Sequence, residues 1–362
     1  MKKNILIIDD SALMRRVLSD IINLDERFQA GAMAVDGLQA LSIMQQRGSE
    51  FDAVLLDINM PKMNGLEFLA ELKAQKIEAT VIIVSTIAKQ DARETIKALE
   101  LGAFDFVTKP EGYIEFTNHL FSDRIYECLA AATGIEQKPK PKTNQEKKEC
   151  GRSDKKPPAG KQKPAPSQEA KKIVAIACST GGPKALHAVI PRLPADIDAS
   201  ILIVQHMPAG FTKSLADRLD ELSEVHVQEA EDGATLNKGT VYLAKGGCQM
   251  RVKRQKDGSN CLSVTEEPPR HGLLPCADIM YESLMDTDFD RITCVILTGM
   301  GGDGTAGIMK LNEKKNIYVI AQNEDTSVIY GMPKVIKDAG LVDEVVALKQ
   351  VSEAIVNNVG VR

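Results

Sequence analysis

Not one Val, Ile, Leu, Met, Phe or Tyr occurs between Gln137 and Ala170. A stretch of that length with nothing to bury cannot join a core, so the chain must fold as two bodies flanking it. The stretch carries ten Lys and Arg against four Asp and Glu, and six of the sixteen prolines. Residues 135–170 therefore read as a solvated, partly extended linker. A basic arm touching an acidic partner or a membrane surface is the alternative. The whole 362-residue chain has a formal charge of −5, so the flanking bodies together are more acidic, at about −11. A chain-wide electrostatic grip on nucleic acid is not expected. Trp is absent and aromatics are 4%, which disfavours stacking platforms for single strands.

No apolar run reaches the roughly 18 residues of a spanning helix, so membrane insertion is not expected. The apolar patch after Met1-Lys2-Lys3-Asn4 ends at once in Asp9-Asp10, too short and too acidic for a secretory signal. Seven Cys without a CxxC pair argue against both a zinc framework and a disulfide scaffold. A reducing cytoplasm is the expected compartment.

In the first body, residues 1–134, Asn4–Ile8, Ala53–Leu56, Val81–Val84 and Phe106-Val107 read as buried strands. Leu13, Val17 and Ile21 mark the buried face of an intervening helix. Strands alternating with helices imply a parallel sheet, whose ligands sit beyond the carboxyl ends of the strands. Asp9, Asp10, Asp57, Ser85 and Lys109 all stand just past such ends. Three carboxylates in one place need a cation, and oxygen-only donors favour Mg²⁺. With Lys109 as a fixed charge and Ser85 as a hydroxyl, the group suits a phosphoryl transfer onto one Asp. The bland alternative is that acidic residues simply terminate strands.

Asp9-Asp10-Ser11, Asp57 ahead of Met60-Pro61-Lys62-Met63-Asn64-Gly65, and Thr108-Lys109-Pro110 resemble the receiver domain of two-component response regulators. The resemblance spans about residues 3–125. It implies a flavodoxin-like fold and phosphate transfer to Asp57 from a histidine kinase. It further implies Mg²⁺ held by Asp10, Asp57 and the Asn59 carbonyl with help from Asp9. Ser85, Phe106 and Lys109 would form the switch.

The second body, residues 171–362, again alternates strands and helices and lacks a basic recognition stripe. Lys172–Ala177, Ser200–Val204, Ile292–Leu297 and Tyr318–Ala321 read as strands. Gln249–Lys253 and Leu262–Thr265 read as a hairpin inserted at one edge. Phe211, Leu215, Leu219 and Leu222 carry the spacing of an amphipathic helix.

Ser179, His206 and Asp303 stand at three strand ends. A serine hydroxyl needs a base to become a nucleophile, an imidazole supplies one near neutral pH, and a carboxylate fixes its tautomer. Ser179 lies on a strand-to-helix turn whose N–H groups suit an oxyanion. Ala177 breaks the G-x-S-x-G pattern, so the α/β-hydrolase family is not supported. Taken singly, Ser179-Thr180-Gly181-Gly182 could be a phosphate cradle and His206 a structural residue. Gly301-Gly302-Asp303-Gly304-Thr305 is also similar to the active loop of lipid and NAD kinases. An inactive, phosphorylation-dependent binding module is a third reading.

Jointly, Cys178-Ser179-Thr180-Gly181-Gly182-Pro183, Ile203-Val204-Gln205-His206-Met207-Pro208 and Leu297-Thr298-Gly299-Met300-Gly301-Gly302-Asp303-Gly304 resemble the catalytic domain of chemotaxis protein-glutamate methylesterases. Glu231-Asp232-Gly233 and Tyr330-Gly331-Met332-Pro333 support it. A receiver, a linker and this domain are that family's architecture. The resemblance implies Ser179 as nucleophile, His206 as general base, Asp303 as orienting acid, and Thr180 and Met300 at the oxyanion site. It departs in two places. Ala177-Cys178 stands where the family has Gly-Ala. Residues 271–278, HGLLPCAD, are longer than the family's His-x-Pro-Ser-Val-Asp and lack its Ser.

The expected fold is therefore α/β, with two doubly wound parallel-sheet domains: a flavodoxin-like receiver, then a Rossmann-like serine-hydrolase domain with an edge hairpin. The expected activity is phosphorylation-activated hydrolysis of glutamate γ-methyl esters on methyl-accepting chemotaxis receptors, releasing methanol, with deamidation of receptor glutamines as a second activity. The receiver is expected to control access to the catalytic cleft. Expected partners are a chemotaxis histidine kinase and those receptors, and not nucleic acid. Mg²⁺ is expected in the receiver and no cofactor for ester hydrolysis. The expected location is cytoplasmic, transiently at membrane receptor arrays.

Overall fold

The computed structural model describes residues 1–86, 88–110, 119–135, 169–256 and 258–361. The chain divides into two compact units, each built on its own parallel sheet. Positions 136–168 of the expected linker lie outside the described residues.

The first sheet comprises β1 (Lys3–Ile8), β2 (Phe28–Ala34), β3 (Ala53–Leu56), β4 (Val81–Ser85) and β5 (Asp105–Thr108). Between them run α1 (Ala12–Leu24), α2 (Gly37–Arg47), α3 (Gly65–Ala74) and α4 (Lys89–Leu101), and α5 (His119–Thr133) follows. The strand order is β2-β1-β3-β4-β5, with every pair parallel. β3 and β4 are buried along their whole length, as strands covered on both faces by helices must be. Strand order reverses between β1 and β3, the crevice where open α/β sheets take their ligands. Asp9 and Asp10 follow β1, and Asp57 follows β3.

Two sequence expectations change here. The buried stripe of α1 is centred on Leu18 and Ile22, while Leu13 is 68% exposed. The fourfold spacing finds the helix but places its inward face one residue off. β2 is absent from the expected strands. It is an edge strand whose outward residues are exposed and whose run of Ala and Gly carries little strand signal.

The second sheet holds β6 (Lys172–Cys178), β7 (Ser200–Gln205), β8 (His226–Glu229), β9 (Thr240–Leu243), β12 (Arg291–Ile296), β13 (Ile317–Gln322) and β14 (Glu344–Val346). Their order is β14-β13-β12-β6-β7-β9-β8, again all parallel. Along this part of the chain run helices α6 (Gly182–Val189), α7 (Phe211–Leu222), α8 (Ala277–Ser283), α9 (Thr305–Lys314), α10 (Met332–Asp338) and α11 (Val351–Val359). β6 lies between β7 and β12, so its carboxyl end is the switch point of this sheet. The central strands supply the core, with Ile173, Leu202, Cys294 and Ile296 fully buried. Burying each of the Ile and Leu side chains contributes roughly 1.5–3 kcal/mol relative to leaving it exposed.

The hairpin exists, as β10 (Gln249–Arg254) and β11 (Asn260–Thr265). It is a two-stranded sheet of its own rather than an addition to the main sheet's edge. Its Met250, Val252 and Leu262 share a core with Met280 and Leu284, so the hairpin is held by α8 and the turn after it.

Candidate functional site

At the first switch point, Lys109 Nζ lies 2.9 Å from both Asp9 Oδ2 and Asp57 Oδ2. Asp57 Oδ1 accepts the Ile58 N–H at 2.8 Å, and Asp9 Oδ1 accepts the Ser11 N–H at 2.9 Å. Arg15 donates to the backbone carbonyls of Asp9 and Asp10, which fixes the turn carrying them. Burial pushes the Asp57 carboxyl up, opposed by Lys109 and reinforced by the charge of Asp9. Burial alone would lower the Lys109 ammonium, but Asp57 and Asp9 more than compensate and raise it. Asp9, Asp10 and Asp57 each offer a carboxylate oxygen, all within 4.8 Å of one another. Three hard oxygen donors at that spacing fit a small divalent cation. The Asn59 side chain donates to Asp91 at 3.0 Å. Ser85 ends β4, and its carbonyl accepts the Lys109 N–H at 2.7 Å, so both stand at the ends of adjacent strands. Phe106 lies on β5, paired in register with Ile83.

At the second switch point, β6 and β7 pair in register up to Cys178 and Gln205. Ser179 and His206 are therefore the first residues beyond two adjacent strands, and the His206 N–H donates to the Cys178 carbonyl at 3.3 Å. On the other side of β6, the Leu297 N–H donates to the Ala177 carbonyl at 3.0 Å and starts the loop that carries Met300 and Asp303. Ser179-Thr180-Gly181-Gly182 is a tight turn closed by Gly182 N–H to the Ser179 carbonyl at 2.7 Å. Gly181 takes φ of 77°, which a residue with a Cβ resists. The turn delivers the chain from β6 into α6.

His206 Nε2 lies 2.8 Å from Asp303 Oδ2. The same oxygen accepts the Ala277 N–H at 2.6 Å, while Oδ1 accepts the Asp278 N–H and the Cys276 thiol, each at 3.1 Å. Burial alone would raise the Asp303 carboxyl; the hydrogen bond and charge of His206, with the N–H groups of Ala277 and Asp278, bring it down to about 2. The Gly301–Thr305 loop thus presents a carboxylate to an imidazole, an arrangement the kinase reading does not explain.

The 297–304 loop is itself pinned. Buried Gln322 accepts the Thr298 N–H at 2.8 Å, and Thr298 Oγ1 accepts the Ile329 N–H at 2.9 Å. Gly331 and Met332 N–H both donate to the Gly299 carbonyl. The Tyr330-Gly331-Met332-Pro333 string therefore supports the site through its backbone. On the other flank, the Cys178 thiol donates to Gln205 Oε1 at 3.0 Å, and Gln205 Nε2 donates to the His206 carbonyl at 3.2 Å.

Sequence reasoning leaves the role of 271–278 open and misses the part this segment plays. Gln249 reaches across from β10, donating to the Leu273 carbonyl at 3.1 Å and accepting the Cys276 N–H at 2.8 Å. That fixes the start of α8, whose N–H groups hold Asp303. Asp278 then accepts the Gly304 and Gly307 N–H groups at 3.0 and 2.6 Å. Tyr281 ties the helix to the sheet, its hydroxyl lying 3.1 Å from the carbonyl oxygens of both Ala175 and Val295. The signal for these residues is the unusual PCAD string at 275–278. Their contacts run through backbone N–H groups, which a sequence does not display.

A CheB methylesterase family model matches residues 174–355, half of the chain, and a response regulator receiver domain model matches residues 5–121. The chain belongs to the CheB methylesterase family. A relative from Syntrophomonas wolfei, named protein-glutamate methylesterase/protein-glutamine glutaminase 1, is 40% identical over 361 residues, covering 98% of this chain and 99% of its own. A relative from Halalkalibacterium halodurans, named protein-glutamate methylesterase/protein-glutamine glutaminase, is 40% identical over 355 residues, covering 97% of each. The crystal structure of the Thermotoga maritima CheB methylesterase catalytic domain is 40% identical. It covers 51% of this chain and 97% of its own, with a TM-score of 0.49. In this member of the CheB methylesterase family, a receiver domain precedes the catalytic domain. Among the described residues no helix is long and apolar enough to cross a membrane.

Proposed function

We propose that this chain is a phosphorylation-activated protein-glutamate methylesterase, with receiver 1–134, linker 135–170 and catalytic domain 171–362. The single observation that carries the reading is the His206–Asp303 pair, one strand end away from Ser179 on the turn into α6. With Nε2 committed to Asp303, the other ring nitrogen, Nδ1, is the base. Ser179 Oγ adds to the γ-carbonyl carbon of a methylated glutamate as its proton passes to His206. Asp303 stabilises the imidazolium that forms. The N–H groups of Thr180 and Met300 are assigned to the oxyanion. His206 returns the proton as the bond from the carbonyl carbon to the methoxy oxygen breaks, and methanol leaves. A water molecule then adds to the acyl-enzyme with His206 as base, freeing the glutamate carboxylate and Ser179. A glutamine amide enters the same path with ammonia as the leaving group, which makes deamidation the second activity.

In the receiver, Asp57 is the phosphoacceptor. Asp9, Asp10, Asp57 and the Asn59 carbonyl would hold Mg²⁺, which when bound neutralises charge on the transferring phosphoryl group. Lys109 supplies a fixed positive charge beside Asp57, and Ser85 and Phe106 report the phosphate to the rest of the domain. The phosphodonor is a chemotaxis histidine kinase. The substrates are methyl-accepting chemotaxis receptors, so the enzyme works in the cytoplasm and visits membrane receptor arrays. Methanol release from methylated receptor membranes, with and without a small phosphodonor and Mg²⁺, tests this. Release that rises with the phosphodonor is expected, with that rise lost in Asp57→Asn. An absence of methanol under both conditions would overturn the reading.

A further inference from the structure

We propose that Cys276 is a positioning residue for the catalytic base, holding the plane of the Asp303 carboxylate that in turn holds His206. The proposal rests on the Ser179–His206–Asp303 reading. Asp303 receives four donors, two per oxygen: His206 Nε2 and the Ala277 N–H on Oδ2, and the Asp278 N–H and the Cys276 thiol on Oδ1. A carboxylate offers about four lone-pair positions, so the set is complete and the group cannot turn without breaking a bond. Three of the donors belong to consecutive residues, and two of those are backbone groups that any sequence would supply. The thiol is the one member of this run that depends on a side chain.

Cys276 suits the task for physical reasons. It is fully buried, and the Gln249 carboxamide pins its N–H at 2.8 Å, so the sulfur is carried on a fixed backbone. Burial and the adjacent Asp303 charge push its thiol up to about 12, which keeps it protonated and donating throughout the working range. The charged groups that act on it are Asp303, Asp278 in the first turn of α8, and Arg270. Arg270 is held by both oxygens of Glu282, at 2.6 and 2.9 Å. A thiol this well buried and this strongly protonated is no nucleophile. A hydroxyl at the same position would serve as the same kind of donor, and that gives the rescue variant.

Methanol release from a peptide bearing a glutamate γ-methyl ester, using the full chain with a phosphodonor and Mg²⁺, tests the role. Cys276→Ala should lower kcat about fivefold and leave KM unchanged, because the bond acts on the base and not on substrate binding. Cys276→Ser should restore kcat to within about twofold of the parent. In an Asp303→Asn background, Cys276→Ala should have no further effect, since the group it positions is gone. Cys276→Val, which fills the buried volume without a donor, replaces the alanine variant should that one fail to fold, with the same expected loss. Parental kcat in the donor-free variants, a serine variant as slow as alanine, or an undiminished effect in the Asp303→Asn background would each overturn the proposal. Ser179→Ala, measured alongside, separates the two readings. If it is inert while the Cys276 variants are normal, only the role of the thiol falls; if it turns over, the triad itself falls.

Discussion

Asp278 and Asp303 cap each other's helices. Asp303 accepts the Ala277 and Asp278 N–H groups that open α8, and Asp278 accepts the Gly304 and Gly307 N–H groups that open α9. The Asp303 carboxylate that meets His206 is thus half of a reciprocal clamp between two helices. Asp278→Ala leaves two buried N–H groups without an acceptor, at a cost of about 1–3 kcal/mol each before relaxation. The expected outcome is a lower Tm together with a lower kcat, read by calorimetry and methanol release. A variant that loses stability but keeps full turnover would uncouple the clamp from the site.

The clamp requires the helices to approach closely. A Cβ on Gly307 would lie 2.6 Å from the Asp278 carbonyl oxygen and 3.0 Å from the Tyr281 Cβ. Neither neighbour is a flexible side-chain tip. Gly307→Ala should destabilise the catalytic domain by about 1–3 kcal/mol, the usual range for overpacking. Thermal unfolding of the variant checks this, and an unchanged Tm would show that the helices can part without loss.

Acid should weaken the catalytic domain through Asp303. Its carboxyl is held at about 2 against an ordinary value of 3.8. A depressed folded value contributes stability above the ordinary value and loses it as pH falls through the folded one. The contribution is about 2 kcal/mol at neutral pH. The gap in Tm between the parent chain and Asp303→Asn should be full above about pH 4 and close toward pH 2. A gap independent of pH would contradict the assignment of this charge.

Asp57 has the opposite sign. Burial raises its carboxyl, so its ionisation costs the receiver stability. The cost is absent below the ordinary carboxylate range, grows as pH rises through it, and is complete above the raised folded value. Asp57→Asn should therefore raise the receiver's Tm at neutral pH, with the gain vanishing in acid. A loss of stability at neutral pH would show that the Lys109 contact outweighs burial.

The parts of the site that interrupt an apolar strand with a polar side chain are legible in the sequence. Asp9, Asp57, Ser85 and Lys109 in one sheet, and Ser179 and His206 in the other, stand where the strand patterns stop, and Asp303 lies in the loop that follows a third strand. The parallel-sheet rule then brings them to one edge. Less is legible where the signal is short or shared. β2, β8, β9 and β14 escape the sequence reading because they are edge strands or run only three or four residues. Leu13 is misplaced because residues at i and i+4 mark a helix without fixing which of two neighbouring stripes faces inward. The clamp of Cys276, Ala277 and Asp278 is invisible because it works mostly through backbone N–H groups whose partner carboxylate lies some 25 residues away.

Methanol release by Ser179→Ala, set against the parent chain on the same methylated receptor membranes with phosphodonor and Mg²⁺, tests the central claim most directly. The parent should release methanol, and the variant should release none above the uncatalysed background while still accepting phosphate on Asp57. Methanol from the variant at a rate comparable to the parent would contradict the account.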